Sequence, residues 1–193
     1  MRIIGGEYKS RLIAMPKGAE IRPTQDKVRE AIFNILGDVS GKNALELFAG
    51  SGAFGIEAIS RGARSVTFVD NNFRCTKAIK ANLSSLDVDA SKYNIIRANA
   101  LSALPRLAKQ KERFDIIFLD PPYYKGMGKI CLINIGSYDI VSPVGLVLVE
   151  HFKKDALDAE LERFLFLDER RYGDTVITIL RKVPHAHREG VGI

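Results

Sequence analysis

The sequence predicts a doubly wound α/β fold, and three observations predict it. From Asn43 onward, short apolar runs rich in Val, Ile and Phe alternate with segments of helical periodicity. The first strand runs directly into a glycine-rich turn, Gly50-x-Gly52-x-x-Gly55, which opens a helix. The chain then closes on two strand-like runs separated only by Tyr172-Gly173-Asp174, the signature of an antiparallel pair.

Each element follows from its own residues. The opening segment alternates weakly through Ile3-Ile4 and Leu12-Ile13, is punctuated by Gly5-Gly6 and Pro16-Lys17-Gly18, and predicts a short β-hairpin or extended arm. A helix capped by Thr24 follows, with Val28, Ile32, Phe33, Ile35 and Leu36 as its apolar stripe and Gly37 as its stop. Strands are expected at Ala44–Phe48, Ser65–Val69, Tyr93–Arg97, Phe114–Leu119 and Val144–Val149, then at Phe164–Leu167 and Thr175–Leu180. Helices are expected from Ala53 to Ser60, from about Asn72 to Leu83, through Leu101, Leu104 and Leu107, and briefly near Leu157 to Leu161. The segment Ile130–Ile135 reads as a helical or loop crossover. Residues 1–38 thus form an arm and helix, 39–183 the α/β domain and 184–193 a tail.

With 193 residues and 46% hydrophobic content, the chain can bury one substantial core. No run of residues is long and apolar enough to span a membrane, and the N-terminus lacks a signal-peptide core, so a cytoplasmic location is expected. Cys75 and Cys131 stand alone, without metal-ligand spacing, so neither a disulfide nor a metal site is expected. The net charge of +6 favours a polyanionic partner. Its basic residues crowd the first thirty positions, including Arg2, Arg11, Arg22 and Arg29, where they read as a solvated face or as an arm that tracks phosphates.

Asp120-Pro121-Pro122-Tyr123 leaves the fourth strand at its carboxyl end, where open α/β sheets carry their chemistry. A carboxylate and a carbonyl held rigid by proline can accept both N–H bonds of a planar amine, and a tyrosine can stack on the ring that bears it. The bland alternative is a proline turn with Asp120 as its cap. The glycine loop, Phe48-Ala49-Gly50-Ser51-Gly52 through Gly55, permits close backbone approach to a ligand, and Asp70, followed by Asn71, ends the second strand where a carboxylate can hold ribose hydroxyls. Asn99-Ala100 follows the third strand, as an adenine contact or as a helix cap.

Taken literally, the loop is a dinucleotide fingerprint, but S-adenosylmethionine enzymes use a similar one. Three features favour the latter: Glu46 just before the glycines would repel a pyrophosphate, the sheet ends in an antiparallel pair, and hydride transfer needs no amine-gripping carboxylate.

With these motifs in order, the sequence resembles the RsmD family of class I S-adenosylmethionine-dependent methyltransferases, which methylate guanine N2 in 16S rRNA. The resemblance rests on Arg2-Ile3-Ile4-Gly5-Gly6, Arg22-Pro23-Thr24-x-Asp26-x-Val28-Arg29-Glu30-x-x-Phe33-Asn34, the glycine loop, Gly55-x-Glu57-Ala58-x-Ser60-Arg61, Asp120-Pro121-Pro122-Tyr123 and Tyr172-Gly173. It implies a seven-stranded Rossmann-like methyltransferase sheet, six strands parallel and one antiparallel, with an N-terminal β-hairpin and helix extension. It implies S-adenosyl-L-methionine as cofactor, held by Glu46, Phe48 to Gly52, Gly55, Asp70, Asn71, Asn99 and Ala100. It implies Asp120 to Tyr123 as the catalytic segment, and Arg2, Arg11, Arg22, Thr24, Arg29 and Lys125 as substrate contacts. The implied substrate is guanine-966, in the family's naming, of 16S rRNA in the 30S subunit or its assembly intermediate, met by a monomer. An N6-adenine methyltransferase of DNA or RNA, a nicotinamide oxidoreductase and a non-catalytic rRNA-binding assembly factor are the alternatives. The amine-gripping motif alone does not separate guanine from adenine.

Overall fold

A computed structural model of the chain describes residues 1–16, 26–122, 126–155, 157 and 163–183. Seven strands form one sheet: β1 (Asn43–Leu47), β2 (Ser65–Asp70), β3 (Tyr93–Arg97), β4 (Phe114–Leu119), β5 (Val141–Phe152), β6 (Phe164–Tyr172) and β7 (Thr175–Lys182). Their order is β3-β2-β1-β4-β5-β7-β6, with β7 antiparallel to both its neighbours and the other six strands parallel to one another, as expected. The helices are α1 (Asp26–Leu36), α2 (Ala53–Ser60), α3 (Phe73–Ser85), α4 (Ala100–Lys109) and α5 (Met127–Ser137).

The central strands bury both faces, so β1 and β4 read as near-continuous apolar runs rather than alternating ones. On one face, Phe33 of α1, Phe54 of α2 and Phe118 of β4 stack in series, with ring centroids 5.1 and 4.4 Å apart. On the other, Leu104 and Leu107 of α4 and Leu132 and Ile135 of α5 pack against Leu119, Val147 and Val149. Each such fully buried side chain contributes about 1.5–3 kcal/mol. Cys75 and Cys131 are free and buried. No helix among the described residues is long and apolar enough to cross a membrane.

Three elements are markedly longer than the sequence pattern suggests, among them β6, which continues past Leu167 to Tyr172. The crossover after β4 is a full helix, α5. Strand β5 begins at Val141, which pairs with Phe114 across an irregularity, and continues to Phe152 because β7 pairs with its whole second half. The cap expected at Thr24 and most of the helix expected near Leu157–Leu161 lie outside the described residues.

The N-terminal arm is a small hairpin. Arg2 and Leu12 form an antiparallel bridge, and Ile3 N–H donates to the Arg11 carbonyl at 3.0 Å. Ile3 and Ile13 enter the same apolar cluster as Phe33 and Phe54. The arm is clamped onto α2 by Glu57, whose carboxylate accepts from the N–H groups of Ile4 and Gly5 at 2.8 and 2.7 Å. Ser60 adds three bonds: its hydroxyl donates to Gly5 O and accepts from Tyr8 N–H, and its carbonyl accepts from Glu7 N–H. Gly6 is required at this crossing. It has φ of 77°, and a Cβ there would lie 1.8 Å from the Ser60 carbonyl oxygen.

Candidate active site

The glycine loop is shaped by its own backbone. Phe48, Gly50 and Gly52 all have positive φ, at 60°, 56° and 76°. For Phe48 this is an uncommon conformation, of the kind found where structure serves a ligand site. Ala49 N–H donates to Val69 O, and Gly52 N–H to Ala49 O at 2.7 Å, which closes the turn. Gly55 is fixed by packing: a Cβ there would lie 2.3 Å from the Phe68 ring and 2.8 Å from Glu46 Oε2.

Glu46 lies beneath this loop, 4% exposed, and accepts the Gly55 N–H at 3.0 Å, with a further contribution from the Phe54 N–H. Burial pushes its carboxyl up to about 8, against the lowering effect of those two bonds. Its carboxylate thus satisfies the orphan donors at the start of α2. Asp70 lies beside the loop. It accepts Gly50 N–H at 2.9 Å and Asn72 N–H at 2.8 Å, and is only partly buried. A carboxylate offers about four acceptor positions, so Asp70 retains capacity for hydroxyl donors. Asn71 is exposed next to it. Asn99 accepts from Leu101 N–H at 2.9 Å, the helix-cap role, and Ala100 is buried as the first residue of α4.

Asp120 is one strand away. Leu47 and Leu119 are register partners, so Phe48 and Asp120 leave the sheet side by side, and Asp120 N–H approaches the Leu47 carbonyl at 3.5 Å. Leu119 pairs with Val149 on the other side, which puts Glu150 next to Asp120 on the same face. Burial, then Glu150, then Glu46 raise the Asp120 carboxyl well above the usual carboxylate range. Pro121 is buried and Pro122 exposed, and both line a cavity of about 340 Å³. Met127, Gly128 and Lys129 of α5, His151 of β5, and Gly126, Lys154, Asp155 and Leu157 also line it. His151 is oriented by Thr178, whose hydroxyl lies 2.9 Å from its Nε2. Glu150 and His151 escaped the sequence reading. Their signal was present only as a polar pair ending an apolar strand.

The basic residues divide. Arg29 was expected to face RNA, but it is 1% exposed. Its guanidinium contacts Asp26 at 3.0 Å and Glu57 at 3.6 Å, and it donates to the Arg2 carbonyl, so it ties the arm to α1 and α2. Arg11 is exposed and donates to the Ser85 carbonyl at 2.8 Å, at the C-terminal end of α3. The Arg2 side chain is exposed. Lys153 pairs with Asp174 at 2.7 Å. Arg22, Thr24, Tyr123 and Lys125 lie outside the described residues. Among the described residues, no group of three or more His, Cys, Asp or Glu side chains is arranged to hold a metal ion.

A six-parallel, one-antiparallel sheet with a glycine loop after β1 and an Asp-Pro-Pro exit from β4 defines a Rossmann-like methyltransferase architecture. The solved structure of yhhF from Escherichia coli, provisionally named a methyltransferase, superposes with a TM-score of 0.82 at 29% identity, over 94% of this chain and 97% of that one. The chain belongs to the RsmD family, described as conserved hypothetical protein 95, whose family model matches residues 1–181. YlbH of Bacillus subtilis, provisionally named an rRNA methyltransferase, is 37% identical over 183 residues, 94% of this chain and 99% of its own. The ribosomal RNA small subunit methyltransferase D of Haemophilus influenzae is 30% identical over 174 residues, 90% of this chain and 89% of its own.

Proposed function

We propose that this protein methylates the N2 amine of a guanine in 16S rRNA, guanine-966 in the family's naming, with S-adenosyl-L-methionine as donor. It does so on the small subunit or its assembly intermediate. The observation that carries the reading is the juxtaposition of Asp120, followed directly by Pro121 and Pro122 in the wall of a cavity of about 340 Å³, with a glycine loop one strand away. The names of the relatives, which specify ribosomal RNA of the small subunit, support the substrate.

The residues present fit the cofactor. The loop from Phe48 to Gly55 carries no cation, Glu46 and Asp70 border it, and two N–H groups of the first turn of α2, those of Phe54 and Gly55, already donate to Glu46. Such a loop suits a ligand without a pyrophosphate. Asp70 would hold its ribose, and the loop backbone its amino acid end. When bound, S-adenosylmethionine supplies an activated methyl group, so catalysis reduces to positioning and electrostatics.

The N2 amine of guanine is a poor nucleophile because its lone pair is delocalised into the ring. Asp120 and the Pro121 carbonyl accept its two hydrogens and favour a tetrahedral nitrogen. The new C–N bond would form at the expense of the donor's sulfur–methyl bond, which leaves a neutral thioether; the nitrogen becomes cationic and surrenders one proton, which the Asp120 carboxylate receives. The raised basicity of Asp120 suits that task. The base enters the site unstacked.

The deciding experiment maps modified nucleosides in small-subunit RNA from cells lacking the protein. Loss of one N2-methylguanosine, restored by adding the protein back, is expected. Loss of an N6-methyladenosine instead, or no change, would overturn the reading.

A further inference from the structure

Strand β3 is an outer edge of the sheet, and beside it lies an open groove of about 700 Å³ between β3 and α3. Phe73, Lys77 and Lys80 line it from α3, and Tyr93, Asn94 and Arg97 from β3. The helical three follow i, i+4, i+7 spacing and so form one stripe. Tyr93 and Arg97 lie on one face of the strand, with Asn94 turned to the other. The Phe73 ring is 59% exposed, and the Arg97 guanidinium lies 5.8 Å from its centroid. Among the described residues, Lys77, Lys80 and Arg97 make no ion pair, and the groove lining contains no carboxylate.

We infer that this groove is a track for single-stranded RNA flanking the target base. Unpaired cations along a groove, with the exposed Phe73 ring at one end and the half-buried Tyr93 ring at the other, are what binds a strand by phosphate attraction and base stacking. An acidic peptide would use the cations but not the rings. Geometry connects the track to the chemistry. Phe73 and Arg97 stand at the carboxyl-end side of the sheet, the edge that carries Asp120, and three strand spacings put them about 14 Å from β4. From Arg97 the track runs back to Tyr93, about 13 Å along the strand. The inference rests on the rRNA reading above and adds where the substrate's strand lies.

The probe is a fluorescein-labelled oligouridylate, titrated by anisotropy at several salt concentrations. For the triple variant Lys77→Gln, Lys80→Gln, Arg97→Gln, three lost contacts at about 0.7 each lower the slope of log K against log salt by about 2. Affinity falls at least about tenfold near 0.1 M salt. Phe73→Ala weakens binding without changing the slope. On small subunits from cells lacking the enzyme, both variants raise KM and leave kcat unchanged. Affinity for S-adenosylmethionine, by calorimetry, is also unchanged. Unaltered RNA affinity and slope in variants with wild-type melting curves would overturn the track, while methyl transfer by the wild type would leave the proposed function standing. Wild-type failure to methylate the subunits would count against that function instead. Equal loss of S-adenosylmethionine affinity would assign the groove to the cofactor, and displacement of the RNA probe by polyglutamate at comparable affinity would assign it to a protein partner. Either outcome overturns the inference.

Discussion

Asp120 sits between two demands. It must be ionised to accept the amine's hydrogens, yet burial and the adjacent Glu150 and Glu46 hold its proton on. Transfer should therefore rise with pH through the raised titration of this group, since the inactive form is the protonated one. Asp120→Asn should lower kcat by about 10²–10⁴ and remove that limb of the profile, with cofactor affinity preserved. Single-turnover transfer of radiolabelled methyl across a pH series measures both effects. A wild-type profile in the variant would remove Asp120 from the chemistry. Asp70 acts through binding instead. It holds the Gly50 N–H and retains acceptor capacity for hydroxyls, so Asp70→Ala should weaken cofactor binding by about 10–100-fold, the worth of a hydrogen bond to a charged group. An unchanged dissociation constant by calorimetry would rule out the ribose role.

Among the elements, the arm and α2 behave as one unit through Glu57. This carboxylate is fully buried, accepts two arm N–H groups and faces Arg29 and Arg61, the latter at 2.8 Å. Removing one partner of a buried pair costs up to about 3–5 kcal/mol, here because the buried Arg29 is left with Asp26 as its one remaining carboxylate among the described residues. Glu57→Ala should therefore lower stability by about that much in urea melts and speed amide exchange at Ile4 and Gly5. A loss under about 1 kcal/mol would mean that the arm is held by its apolar contacts and its Ser60 and Arg29 hydrogen bonds, without Glu57. The same geometry changes what an arm deletion reports. Deleting residues 1–21 would strip Ile3 and Ile13 from the core and take two N–H donors from Glu57 and the Arg2 carbonyl from Arg29, so lost methylation would reflect lost stability as much as lost RNA contact. Exchange of the exposed Arg2 for Gln separates the two effects, since its side chain faces solvent while its carbonyl serves Arg29.

At the scale of the molecule, local pattern disclosed what is local. The limits of α2, β3 and β4 and the glycine loop could be read from periodicity and turn chemistry, because those residues carry their own propensities. What depends on register could not. The ends of β5 are set by Phe114 and by β7, and Glu150 joins Asp120 only because Leu119 pairs with Val149. Arg29 looks like a surface charge on a helix until the arm folds over it. Glu46 is such a case with a thermodynamic consequence. Its carboxyl, ordinarily near 4.5, is pushed up to about 8 by burial. Between those values the native state keeps a proton that the unfolded chain has released, so this group makes stability fall as pH rises through about 4.5 to 8. Asp120, raised for the same reason, acts in the same direction. Glu46→Gln preserves an acceptor for the Gly55 N–H and cannot ionise. It should match the wild type near pH 4.5 and exceed it near pH 8, giving a shallower decline of melting temperature with pH. Calorimetric melts of the two proteins across that range check it, and parallel curves would show that the Glu46 carboxyl is not held neutral beneath the loop.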